Sequence, residues 1–106
     1  MIINKTPHRV IILDSDNRII KCYASLPPVI RINYIKKREN STLEGVPICR
    51  VESNMVENLP DPQPGIYYIV SSAVKTELSQ RYDLLTPSEI VRDDYGNILG
   101  CKSLRI

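Results

Sequence analysis

The chain is 106 residues long with a formal net charge of +2, too short for two independent cores and too weakly basic for a protein that works by neutralising the phosphates of duplex nucleic acid. It has no Phe or Trp, so Ile, Val and Leu must fill the core, and that β-branched excess favours strands over helices. Cys22, Cys49 and Cys101 are odd in number and widely spaced, which excludes a complete internal disulfide framework.

Met1 to Ile3 can form an edge strand, broken by Asn4-Lys5-Thr6-Pro7-His8, because Pro7 cannot donate to a ladder. Arg9 to Leu13 resumes as a strand, and the turn formers Asp14-Ser15-Asp16-Asn17 join it to Arg18–Ala24 as a β-hairpin. His8 is expected at the edge of the core, satisfied by backbone. Pro27-Pro28 forces an extended entry into Val29–Ile35, where Ile30, Ile32 and Tyr34 share one face and Arg31 lies on the other.

Lys36 to Gly45 is polar and charged and reads as an exposed loop or hairpin tip. Pro47–Glu52 offers a further strand, and Ser53 to Gln63 reads as a stiff extended connection closed by alternate prolines. The apolar run Ile66–Val70 has the character of a strand buried on both faces. Ser71 and Ser72 then supply hydroxyl caps to a short helix carrying Val74 and Leu78. After Pro87 the chain returns as a strand, turns at Asp94-Tyr95-Gly96-Asn97 and closes with a strand from Ile98 to Ile106. The fold expected is α+β: predominantly antiparallel β with one short helix near residues 72–81, in a single domain spanning residues 1–106, as a small sheet or sandwich.

The chemistry of catalysis is hard to find in these residues. One His, no GxSxG elbow and no phosphate-cradling glycine loop argue against a hydrolase or nucleotide-cleaving enzyme. Asp14-x-Asp16 lacks the glycine and glutamate of a calcium loop, and three isolated cysteines with one His make no metal-ligand spacing. No metal or cofactor is expected. What remains suits an anion attached to a planar ring: Arg31 and Arg92, the hydroxyls of Thr6, Ser71 and Ser72, and the rings of Tyr67, Tyr68 and Tyr95. Guanidinium forks pair bidentately with phosphate, and tyrosine offers a stacking face with a polar edge.

Three stretches carry a resemblance: Asn4-Lys5-Thr6-Pro7-His8-Arg9-Val10, then Leu59-Pro60 with Gly65-x-Tyr67-Tyr68-Ile69-Val70-Ser71, then Val91-Arg92-Asp93-Asp94-x-Gly96-x-Ile98-x-Gly100-Cys101. Together and in this order they resemble the phage anti-Thoeris sponge proteins, which bind cyclic ADP-ribose isomers made by TIR-domain defence enzymes and release them unaltered. Some of those proteins also bind cyclic oligonucleotides at a second site. The resemblance implies a non-enzymatic protein whose ligand pocket lies between subunits, with Arg31 and Arg92 as the paired arginines and Tyr67 or Tyr68 as the aromatic. The amide side chain that the family contributes from mid-chain has no asparagine to match it in the expected segment.

The partners so implied are a cyclic ADP-ribose-type signalling nucleotide and further copies of the chain, as a dimer or a larger assembly up to a hexamer. Duplex nucleic acid and membrane are not expected partners, and with no signal-peptide pattern or apolar run near twenty residues the expected location is the host cell cytoplasm. Nanomolar capture corresponds to about −12 kcal/mol, whereas two arginine–phosphate contacts supply about 1.5–3 kcal/mol each. The rest must come from enclosure, which an oligomer interface provides more readily than a chain of this size alone. The alternative is a small structural or protein-interaction module of a phage or prophage with no small ligand.

Overall fold

A computed structural model describes residues 1–106. Eight strands and one helix follow in chain order: β1 (Ile2–Asn4), β2 (Val10–Leu13), β3 (Ile19–Tyr23), β4 (Arg31–Leu43), β5 (Val46–Glu57), β6 (Tyr67–Ile69), α1 (Ser72–Glu77), β7 (Leu84–Arg92) and β8 (Ile98–Arg105). Six of the strands make one sheet in the order β1-β6-β7-β8-β2-β3, and β4 pairs only with β5. The antiparallel ladders β2–β3, β4–β5 and β7–β8 carry most of the pairing, while the parallel contacts are short. The protein is thus mostly β with a single short helix, and it is a nearly closed sheet, not a two-layer sandwich.

Closure is achieved by a side chain. β1 and β3 are the two ends of the sheet order, and a parallel bridge joins Asn4 to Ser25, just past β3. The Asn4 amide nitrogen donates to the carbonyls of His8 (2.8 Å) and Tyr23 (2.9 Å), and its Oδ1 accepts from the Thr6 N–H at 2.9 Å. Asn4 is buried, yet every one of its polar atoms has a partner, which is the condition on which a buried amide is tolerated. The Leu26 N–H completes the seam by donating to the Asn4 carbonyl at 2.9 Å. The strand breaks after Asn4 as expected, and the residues of the break also tie the sheet shut.

β6 is the core's centre, as its apolar run predicted. Its alternate residues point to opposite sides: Tyr68 joins Ile30, Val70, Val74 and Leu84 in one cluster, and Ile69 joins Val10 and Cys101 in the other. The first cluster is roofed by α1 and by Ile32 and Val56 at the base of the β4–β5 ribbon. Ser71 caps α1, its Oγ accepting from the Val74 N–H at 3.3 Å. Val74 is the helix's one buried residue, and burying it contributes about 2 kcal/mol. With so little apolar surface to seat it, the helix ends at Glu77 and not near residue 81.

Behind this roof lies an ion pair. Arg81 forks onto Asp83, Nε to Oδ1 at 2.8 Å and Nη2 to Oδ2 at 2.7 Å, and Nη2 also donates to the Pro60 carbonyl at 2.9 Å. The pair therefore staples the proline-rich connection to the sheet. The hydrogen bonds from Arg81 hold the buried Asp83 carboxyl below the usual carboxylate range and raise the guanidinium in turn.

Two expectations are corrected by the β4–β5 ribbon. Lys36–Gly45 is the exposed end of a hairpin and not a loop: β4 continues through it to Leu43, and only Glu44-Gly45 form the tip, both with positive φ. Ser53–Glu57 is not connection but the return strand, which then passes through Asn58, at φ 63, to the prolines. The result is an arm of about 40 Å at 3.3 Å per residue, exposed along nearly its whole length. β7 likewise begins at Leu84, ahead of Pro87, which sits inside the strand. No helix is long and apolar enough to cross a membrane.

Candidate functional site

Arg31 is the first residue of the arm, exposed, and directly opposite Glu57 in register. No ion pair forms between them: the two ion pairs in the structure are Arg50–Glu39 and Arg81–Asp83. The Arg31 guanidinium is therefore free to meet an anion. Its position follows from Ile30, which is anchored in the core beside Tyr68 and Val70 and whose N–H donates to the Lys5 carbonyl at 3.0 Å.

Arg92 ends β7 at the turn into β8 and is also exposed; its Nη1 donates to the Gly96 carbonyl at 2.9 Å. Asp93 beside it builds that turn. Its carboxylate accepts from the N–H groups of Tyr95 and Asn97, both at 2.9 Å, and from the Asn97 amide at 3.3 Å. Those donors, the Asn97 N–H foremost, depress the Asp93 carboxyl below the usual range. Gly96, at φ 84, takes the left-handed corner that the turn requires. The turn spends Asp93 on itself and leaves Arg92 with spare donors on its outer side.

The other candidates are committed to different degrees. Tyr67 is half-buried on β6, whereas Tyr68 is buried among Ile30, Val70 and Leu84. Ser71 spends its hydroxyl oxygen on capping α1. The Thr6 hydroxyl lies 2.6 Å from Asn4 Oδ1 and 2.9 Å from the His8 carbonyl, so its single proton serves one of them at a time. His8 is exposed and contributes its backbone carbonyl, not its ring, to the seam; the core-edge imidazole expected from the sequence is not found.

Within one chain Arg31 and Arg92 share no hydrogen bond or common partner. Arg31 follows Ile30, which packs in the cluster of Leu84, and Arg92 stands eight residues past Leu84 at the far end of β7, about 26 Å along an extended strand. The two most pronounced hollows on the surface are lined by neither arginine. One, of about 250 Å³, lies along the seam from Ile2–Asn4 to Cys22–Leu26 and is mostly apolar. The other, of about 270 Å³, is on the arm and lined only by Lys37, Arg38, Glu39, Asn40, Arg50 and Glu52. Here Arg50 pairs with Glu39, leaving the Lys37 and Arg38 charges without a close carboxylate. In the sequence the Lys36-Lys37-Arg38 run reads as ordinary solvated surface; the antiparallel pairing of β4 with β5 is what sets Arg50 and Glu52 beside it.

Comparison with family models, curated proteins and solved structures returns no match.

Proposed function

We propose that the protein captures a cyclic ADP-ribose-type signalling nucleotide without converting it, as a phage counter-defence sponge acting in the host cytoplasm. The observation that carries this reading is the pair Arg31 and Arg92: both are exposed, one begins a strand and the other ends one, and neither is neutralised by a carboxylate. A diphosphate is the ligand chemistry such guanidiniums fit best, two N–H donors to two oxygens at each phosphoryl group. Because one chain does not bring the two together, the site is completed between copies, one contributing Arg31 from the foot of its arm and another Arg92 from its β7–β8 turn. Tyr67, half-exposed on β6, is the aromatic of choice in this scheme, with Tyr68 next to it in the core and Thr6 and Ser71 shaping the surrounding backbone. A cyclic oligonucleotide is a candidate for a second site.

The test is capture and release. The protein is incubated with cyclic ADP-ribose isomers, desalted and denatured, and the supernatant is analysed by mass spectrometry. Intact nucleotide recovered in proportion to protein supports the proposal; a linear product makes the protein an enzyme; an empty supernatant sinks both. A second reading, a structural or protein-interaction module with no small ligand, is favoured by the arm, whose length no ligand of this size needs.

A further inference from the structure

We infer that one face of the β4–β5 arm binds single-stranded nucleic acid, with Tyr34 stacked on a base and Lys36 and Arg38 on the phosphates. The site is separate from the pair Arg31 and Arg92, and the inference does not rest on the capture reading.

The pairing register sorts the arm's residues by face. Cross-strand partners share a face, and the bulge between Ile35 and Lys36 places its extra residue, Glu52, on β5, so alternation along β4 runs on unbroken there. One face thus carries Ile32, Tyr34, Lys36 and Arg38, opposite Val56, Asn54, Val51 and Cys49. Its foot, Ile32 and Val56, packs on the core. Above the foot Tyr34, Asn54, Lys36 and Arg38 are all exposed, Tyr34 by 42%.

The same register keeps the arm's carboxylates off that face. Glu57 stands opposite Arg31 on the other side. Glu39 is bonded to Arg50, the cross-strand partner of Lys37, also on the other side. Glu44 turns the tip, and Glu52 lines the polar hollow with Glu39 and Arg50. Lys36 and Arg38 make no ion pair. A chain that is nearly neutral overall, at +2, here shows a face on which both charges have one sign.

Two cations alone would suit any anion, and Tyr34 narrows the class. An aromatic ring in line with basic residues on an open strand makes a stacking platform, where a base lies on the ring while the backbone follows the cations. At 3.3 Å per residue Lys36 and Arg38 are about 7 Å apart, and Tyr34 to Arg38 spans about 13 Å. Stacked nucleotides rise about 3.4 Å each, so this face covers about four of them. The exposed Asn54 amide, directly opposite Tyr34, offers a donor and an acceptor to a base edge. In a duplex every base is already stacked on its neighbours and has no free face for Tyr34. An anionic membrane would engage the cations but would meet the tip of the arm first, and Tyr34 is near its foot.

The test is fluorescence anisotropy with a fluorescein-labelled oligouridylate twelve nucleotides long, beside the same strand annealed to oligoadenylate. So few contacts should give weak, salt-sensitive binding, with a dissociation constant of about 100 µM. Two phosphate contacts set the slope of log affinity against log salt at about −1.4, and K36A and R38A should each reduce it by about 0.7. Y34A should bind at least about fivefold more weakly, since stacking on an aromatic contributes about 1 kcal/mol or more, while Y34F should match wild type. The duplex should bind more weakly than the single strand. No binding of the single strand, a wild-type slope near zero, a preference for duplex, or unchanged binding by K36A/R38A or Y34A would each overturn the inference. So would wild-type protein that sediments with phosphatidylserine vesicles and leaves the oligonucleotide free. The wild-type slope needs no variant, so a variant that fails to fold does not decide the matter. K36A/R38A should capture cyclic ADP-ribose as wild type does, which keeps failure here distinct from failure of the capture reading.

Discussion

Replacing Asn4 with alanine probes the seam that closes the sheet. The wild-type side chain donates at 2.8 Å and 2.9 Å to two carbonyls and accepts at 2.9 Å from a backbone N–H and at 2.6 Å from the Thr6 hydroxyl. A hydrogen bond contributes about 1 kcal/mol net, and a buried group stranded without a partner costs about 1–3 kcal/mol. The His8 carbonyl and the Thr6 hydroxyl can turn to each other, so the loss should be nearer 3 than 6 kcal/mol. For a domain of this size about 3 kcal/mol lowers Tm by about 15 °C. Urea and thermal unfolding of N4A measure it, and a companion N4D sharpens the result. An aspartate there faces two carbonyls with acceptors only, so its folded pKa is raised, and N4D must recover toward N4A or better as pH falls toward 4. A loss below about 1 kcal/mol for N4A, or an N4D variant as stable as wild type at pH 7, would refute the role given to this residue.

The Arg81–Asp83 pair makes a pH prediction. Its carboxyl is depressed in the folded state, so its stabilisation is complete above the ordinary carboxylate pKa and disappears as pH falls through the lower folded value. D83N should cost about 3 kcal/mol at pH 7, and the gap to wild type should narrow steadily in urea melts below pH 4; a constant gap contradicts the assignment. Cys22 and Cys49 are exposed while Cys101 is buried, with its thiol pushed up by that burial. A maleimide should therefore label two thiols quickly in the native protein and the third only on unfolding, as intact mass will show. G96A places a side chain at φ 84 and should cost about 1 kcal/mol, read as a drop in the urea midpoint at unchanged slope. Under the capture proposal R31A and R92A each weaken nucleotide binding tenfold to a hundredfold, about 1.4–2.8 kcal/mol, by isothermal titration, with unfolding midpoints unmoved.

What the sequence announces is its core. Ile66–Val70 could be read as a doubly buried strand because it has no polar interruption, and the Asp94-to-Asn97 turn because Asp and Gly leave few other conformations open, although the carboxylate that closes it is that of Asp93. Ser71 declares itself a cap by standing before a short apolar-periodic run. The arm was illegible for the opposite reason: from Lys36 to Thr42 no hydrophobic alternation exists, since neither face of that stretch is buried within the chain, and period-two reasoning needs a wet side and a dry side. Asn4 and Asp83 were also hidden. Their importance comes from groups far along the chain, the Tyr23 carbonyl for one and, through Arg81, the Pro60 carbonyl for the other. Of the candidate ligand groups, Arg31 and Arg92 emerge exposed and unneutralised; the doubly buried run already placed Tyr68 in the core, at odds with a ligand role for it, and nothing in the residue types revealed that Thr6 serves the seam.

The central proposal is capture without chemistry, and equilibrium loading tests it most directly. Wild-type protein saturated with cyclic ADP-ribose isomers, washed and heat-denatured should return one unaltered nucleotide mass in fixed ratio to protomers, while the double variant R31A/R92A returns none. A hydrolysed mass, or equal loading of the double variant, would contradict it.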